Sequence, residues 1–191
     1  MATQLQTEKV NELIRRLDEA VGMDAEPCCH RVKDVLHDLC TSGIEFIDEP
    51  FLQPVPDRYA RRLFHKDPQG RYSVLIMVWG KGQGTPLHDH AHMWCVECVY
   101  RGEIKVVSYS LKGSDEDALV QFDYEQEILA GRGDAGALIP PFEYHTIENA
   151  GETPAVTIHV YGGEMEWCHA FIPVEGGYKR EERKLCYTPM G

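Results

Sequence analysis

The sequence predicts a mainly β protein, a jelly roll or barrel preceded by N-terminal α-helices. Two observations carry this reading. Before Arg58 apolar residues recur at helical spacing, and beyond it they alternate or run in short blocks. Those blocks are separated by Gly-, Pro- and Asp-rich turn chemistry, the pattern of many short strands. A third observation sets the scale: 191 residues, 43% hydrophobic, suffice for one buried core and not for two comfortable domains. The expectation is therefore a single domain over 1–191, with a helical extension over 1–45 and a β core over 59–173.

The first helix is expected over 7–22, where Val10, Leu13, Ile14, Leu17 and Val21 form one stripe and Gly22 is a stop. A second is expected over 30–40, with Val32, Val35, Leu36 and Leu39 on one face and Ser42-Gly43 ending it. Cys28, Cys29 and His30 fall between them and are not read as a metal site, since adjacent cysteines tend to point apart and a buried cysteine is an ordinary small hydrophobe. Pro50, Pro54 and Pro56 mark an irregular connection. Strands are then expected over 60–65, 72–79, 94–100, 104–111, 118–124, 127–130, 136–139, 145–149, 155–161 and 168–173, with turns at 67–70, 112–115, 131–133, 151–154 and 162–163. The charged tail over 175–191 is expected to be a solvated edge strand or arm.

The net charge of -12 argues against a nucleic-acid surface, which needs clustered Lys and Arg. No run of about 18 apolar residues exists to span a membrane. Residues 1–10 are polar and lack the basic-then-apolar order of a secretory signal. The seven cysteines are odd in number and scattered. Cys95 and Cys98 are three apart in a strand-like run, which puts their thiols on opposite faces and argues against a redox or zinc pair. This usage suits a reducing compartment, and a cytoplasmic location is expected.

Chemistry concentrates in the stretch 80–102. His88 and His90 alternate across one residue, so on a strand both imidazoles leave one face and can meet at one metal ion, completed by His145 from a later β segment. Asp89 should point away and anchor a loop, His92 lies one step too far, and Glu97 is no closer than the layer behind the ligands. Three neutral imidazoles leave a divalent cation its full charge, so the site favours an anionic ligand such as a thiolate, with dioxygen beside it. A second group is Thr157, His159 and Tyr161, which alternate with Val156, Ile158 and Val160. In a strand the polar three share a face and can form a proton relay. Trp79, Trp94 and Trp167 are read as core or pocket wall.

The spacing from Gly82 through His88-x-His90 and Cys95 to Gly102 resembles the first cupin motif, with Cys95 where that motif has glutamate. Pro140, His145 and Asn149 resemble the second, with Asp134 and Phe142 in place of its glycines. The resemblance implies a cupin-type double-sheet β-barrel. More specifically, Tyr59-Ala60-Arg61, Trp79-Gly80, His88-Asp89-His90, Cys95, His145 with Asn149, Thr157/His159/Tyr161 and Cys168-His169-Ala170-Phe171 resemble the cysteine dioxygenase family of thiol dioxygenases. Thr157 stands where the family has serine. The resemblance implies Fe(II) on His88, His90 and His145, a small thiol substrate and O2, and a sulfinate product. It implies Arg61 for the substrate carboxylate, with Tyr59 beside it, and Tyr161, His159 and Thr157 as catalytic relay. Cys95 matches the cysteine that in animal members is cross-linked to the relay tyrosine, here Tyr161, by a thioether. Relatives preferring 3-mercaptopropionate carry glutamine at the position of Arg61 and an arginine near Ala170, so the pair here favours L-cysteine. The competing readings are a dioxygenase for 3-mercaptopropionate or mercaptosuccinate, a non-catalytic metal-binding cupin, and a zinc or nickel isomerase, which would keep the motif glutamate.

Overall fold

Two helices open the chain because each carries one apolar stripe that needs a partner. In the computed structural model, which describes residues 3–190, they are α1, Gln4–Ala20, and α2, Ala25–Thr41. Met1, Ala2 and Gly191, at the extremes of the expected domain, lie outside the described residues. Leu13, Leu17 and Ala20 of α1 and seven residues of α2, Cys28 to Cys40, are buried. α1 starts earlier than the predicted 7 because Thr3 and Gln6 form a reciprocal capping box. α2 absorbs Cys28, Cys29 and His30, which the sequence placed between helices. Pro27 lies in its first turn, where a missing N–H breaks no intrahelical bond.

Eleven strands follow: β1 Ala60–Lys66, β2 Ser73–Trp79, β3 Leu87–His88, β4 Cys95–Arg101, β5 Ile104–Lys112, β6 Gln121–Ala130, β7 Ala135–Leu138, β8 His145–Asn149, β9 Ala155–Tyr161, β10 Trp167–Val174 and β11 Gly177–Lys184. They form two antiparallel sheets, ordered β1-β2-β9-β4-β7 and β11-β10-β3-β8-β5-β6. The expected mainly β, cupin-type double-sheet barrel with N-terminal helices is the observed architecture. Among the described residues no helix is long and apolar enough to cross a membrane.

The first sheet is buried on both faces. Val74, Ile76, Val78, Val96, Cys98, Val156, Ile158 and Val160 pack outward against α1 and α2. Leu75, Met77, Trp79, Cys95, Val99 and Tyr161 pack inward. This separation puts Cys95 and Cys98 on opposite faces, as strand parity requires. Arg71, in the β1–β2 turn, ties the helices down: its guanidinium donates to both Asp67 oxygens at 2.9 Å and to Asp18 Oδ1 of α1 at 2.5 Å. The predicted segments 118–124 and 127–130 are one strand, β6. It lies at an edge and is exposed along most of its length, so no buried face imposed an alternation to read.

Candidate metal centre

The site is assembled where β3 meets β8. His88 is paired directly with His145 in the antiparallel register. The chain entering β3 is pinned to β8: Thr85 N donates to Ile147 O at 2.9 Å and Ile147 N donates to Thr85 Oγ1 at 3.1 Å. Gly84 makes this approach feasible, since a Cβ there would stand 2.6 Å from Ile147 O.

His90 reaches the same point by a different route from the one predicted. β3 ends at His88, so strand alternation does not aim the second imidazole. The chain turns instead, with Ala91 and His92 at φ 51° and 62°, and Met93 N donates to His90 O at 3.0 Å. Asp89 secures the turn. Its Oδ1 accepts from Ala91 N at 3.2 Å and His169 N at 2.9 Å, and its Oδ2 lies 2.7 Å from His169 Nδ1. Asp89 thus has the anchoring place expected of it, and His92 is exposed.

The imidazoles of His88, His90 and His145 converge, with ring centroids 4.6 to 5.1 Å apart and one nitrogen from each within 4.8 Å of the others. Burial holds all three below the ordinary histidine value, so the rings are neutral and keep lone pairs. His88 Nδ1 lies 3.1 Å from Pro86 O, to which only an N–H can donate, leaving Nε2 free. His90 Nδ1 and both nitrogens of His145 are buried without a hydrogen-bond partner. Orphaned buried groups of this kind cost about 1–3 kcal/mol each. A metal ion is the partner that neutral, convergent imidazoles fit.

Beside the three histidines lie Thr157, His159 and Tyr161, in contact with one another along β9. Trp79 Nε1 donates to Thr157 Oγ1 at 2.9 Å, and Thr157 Oγ1 lies 2.8 Å from His159 Nε2. Tyr161 Oη is 3.4 Å from His159 Nδ1, and its ring centroid is 5.9 Å from that of His90. Burial lowers His159 to about 3 and pushes the Tyr161 hydroxyl and Cys95 thiol well up. Cys95 is directly opposite Tyr161 across β4 and β9.

Spacing alone puts Glu97 at the margin, yet it sits close behind two imidazoles. Its carboxyl oxygens are 3.7 Å from His145 Nδ1 and 3.6 Å from His159 Nδ1, and burial raises it to about 8. Strand parity with Cys95 was the available signal.

Arg61 is buried on β1 and lines the small inner cavity, about 20 Å³, with Tyr59, the three histidines and Tyr161. Its Nη2 donates to Met165 O at 2.6 Å, while Nε is buried without a partner. Tyr59 stacks on Trp79 at 4.6 Å. Of the solvated edge strand or arm expected over 175–191, the edge strand is present and the solvated arm is not. β11 is an edge strand, but beyond it Leu185 and Tyr187 pack on the inner cluster. Tyr187 lies 5.0 Å from the Arg61 guanidinium, and Thr188 exchanges hydrogen bonds with the Arg61 backbone at 3.0 and 2.7 Å. Outside lies a vestibule of about 390 Å³, whose lining includes Arg58, His88, Cys168, Ala170 and Arg183.

A double-sheet barrel with three convergent histidines at its interior defines a cupin that could hold a metal. The chain belongs to the family described as Cysteine dioxygenase type I, which it matches over residues 7–173. It is 27% identical over 135 residues to cysteine dioxygenase type 1 of Homo sapiens and 26% identical over 135 residues to that of Rattus norvegicus, in each case covering 70% of this chain and 65% of the relative. The chain thus matches under two thirds of these relatives' length. Among solved structures it is similar to a Thermus thermophilus protein, TT1209, with TM-score 0.46, 20% identity and coverage of 63% and 98%. It is also similar to an oxalate oxidase in complex with the substrate analogue glycolate, with TM-score 0.45, 18% identity and coverage of 64% and 62%.

Proposed function

We propose that this protein is an iron(II)-dependent thiol dioxygenase, a single domain over 1–191, that converts L-cysteine and O2 to cysteine sulfinate. The observation that carries the proposal is the convergence of His88, His90 and His145 in one cavity with Arg61, His159 and Tyr161, with Thr157 in contact with His159 behind them. Both oxygen atoms end on sulfur, the thiol becoming a sulfinic acid, so no outside reductant is required. A ferrous ion on the three imidazoles supplies the Lewis acidity that favours thiolate over thiol and a common site for sulfur and dioxygen.

The protein's own groups do the rest. Arg61 offers a planar fork whose unpartnered Nε is ready for a carboxylate, which orients the thiol end toward the histidines. Tyr59, stacked on Trp79, forms the adjoining wall. The Trp79 indole donates to Thr157 Oγ1, and in the proposed relay the threonine's own proton goes to His159 Nε2. That assigns the imidazole proton to Nδ1, on the side of Tyr161, and leaves the tyrosine O–H free to donate to the reacting group.

Ala170, directly opposite His88 in the β10–β3 register, supports cysteine over thiol acids that would use an arginine there. The placement of Cys95 across from Tyr161 supports a thioether between them, which forms with loss of two hydrogens during turnover with iron, thiol and oxygen. Free thiols at all seven cysteines, six of them buried, support a reducing, cytoplasmic setting.

The test is oxygen consumption by iron-loaded protein with L-cysteine, 3-mercaptopropionate and mercaptosuccinate, with the sulfinate identified by mass. Consumption with none removes the enzyme reading, and a preference for 3-mercaptopropionate overturns the role given to Arg61. Intact mass after turnover shows the cross-link as a decrease of two hydrogens, absent in Cys95→Ser; an unchanged wild-type mass removes it.

A further inference from the structure

Glu97 is a buried carboxyl group that neither the ligand set nor the relay accounts for. It lies on β4 directly opposite Gly136 on β7 and His159 on β9, and is 5% exposed. Among the described residues no Lys or Arg forms an ion pair with it; its neighbours within ion-pair range are the Nδ1 atoms of His145 and His159. Its Oε2 has no hydrogen-bond partner. On its other side it borders a cavity of about 300 Å³ lined by Ile104, Val106 and Leu138 and also by Lys33, Ser108, Gln126 and Asp134, none of which forms a hydrogen bond or ion pair with it. An apolar side chain would sit there at lower cost, so the structure of the barrel alone does not call for an acid.

The neighbouring histidines supply the reason. A neutral imidazole that gives one lone pair to a metal carries its proton on the other nitrogen and needs an acceptor for it. Pro86 O serves His88. His145 has no such carbonyl in range, and both its nitrogens are unpartnered. Glu97 Oε1 lies 3.7 Å from its Nδ1, and an N–H directed there leaves Nε2 for the ion.

We propose that Glu97 is a positioning residue for the metal centre: its carboxyl oxygen Oε1 accepts the Nδ1–H of His145, fixing the tautomer and ring orientation that present Nε2, and its other oxygen backs His159 from the same side. This rests on the reading that His88, His90 and His145 hold a divalent metal.

The experiment compares full-length wild type, Glu97→Gln and Glu97→Leu by anaerobic Fe(II) competition with a chelator and by thermal melting of the metal-free proteins. Loss of a group supporting a metal-bound histidine weakens metal binding by about 10–100-fold. Glu97→Leu should show a loss of that size, and Glu97→Gln a smaller one, because its amide oxygen still accepts. The metal-free Leu variant should melt at or above wild type, because an unpartnered buried carboxyl has been removed; a purely structural role would lower its melting temperature. Should the Leu variant fail to fold, the Gln variant carries the comparison, and affinity equal to wild type overturns the proposal. Wild type that binds iron alongside variants that bind it equally removes the role of Glu97 alone. Wild type that binds no iron removes the metal centre, and this inference with it.

Discussion

Thr157→Val is the sharpest probe of the relay because it changes chemistry and almost nothing else. Valine has threonine's branched shape without the hydroxyl. That hydroxyl receives the Trp79 indole N–H at 2.9 Å and meets His159 Nε2 at 2.8 Å, and all three residues are at most 2% exposed. The substitution therefore strands two buried polar groups that water cannot reach. At about 1–3 kcal/mol for each, the expected destabilisation is about 2–6 kcal/mol, a large share of a typical domain's ~5–15 kcal/mol. Urea denaturation of the metal-free protein measures it. Thr157→Ser is the control: it keeps the hydroxyl and removes one methyl, which should cost about 1 kcal/mol. In turnover the valine variant also loses the group that directs the His159 proton, so kcat should fall within the ~10²–10⁴-fold range of a positioned acid–base group, with KM little changed and serine largely restoring it. A valine variant within about 1 kcal/mol of wild type, or a serine variant as impaired as the valine one, would refute the assignment of Thr157 as the hub of this network.

Three further outcomes follow from the same geometry. Asp67 is drawn down from 3.8 to about 2 by its hydrogen bonds to the Arg71 side chain, so its contribution is fully present above its unfolded value and is lost as pH falls through about 2. Asp67→Asn should thus be less stable than wild type at neutral pH, with the gap closing between about pH 4 and 2 in acid-denaturation curves; a constant gap would show that the ion pair is not the cause. Gly84→Ala places a methyl 2.6 Å from Ile147 O and should cost about 1–3 kcal/mol in denaturant melts, while loosening iron binding because the contact joins the strands carrying His88 and His145. Tyr187→Ala removes the ring over the Arg61 guanidinium, a contact worth about 0.5–2 kcal/mol. It should raise KM for a thiol acid by about 2- to 30-fold with kcat nearly unchanged, and an unaltered KM would show that the C-terminal segment does not steady Arg61.

What the sequence made legible followed local rules. Helical stripes in α1 and α2, the period-two blocks of β5, β8 and β9, and the Thr157/His159/Tyr161 face depend on near neighbours, and the structure places them as the spacing implies. What it hid depended on distant partners. His88 and His90 meet as predicted but by a turn, held by an Asp89–His169 contact spanning 80 residues of chain. Glu97 belongs to the site because β4 and β9 pair in one register, and a one-residue slip would turn it toward the helices. Thr188 and Tyr187 reach Arg61 only after β11 reverses the chain along β10, a fact no window around residue 187 contains. The start of α1 was recoverable, since Thr3-x-x-Gln6 is a capping signature in plain view.

The charge distribution connects these pieces. The net charge of -12 offers a carboxylate nothing at long range, yet the proposed substrate, a zwitterion, presents one to the site. At physiological salt, charges farther apart than about 8 Å are largely screened, so acids on the exposed strand β6 matter little within the barrel. At short range the balance shifts: Arg58 and Arg183 line the vestibule beside one acid, Asp57, and Arg61 stands at its inner end. Burial keeps the three ligand imidazoles neutral, so at neutral pH no proton competes with the metal and no ligand charge offsets it. A carboxylate entering the vestibule therefore meets guanidinium groups before it reaches the histidines. On the proposed function, this local arrangement rather than the overall charge receives a ligand with a carboxylate at one end and an ionisable sulfur at the other.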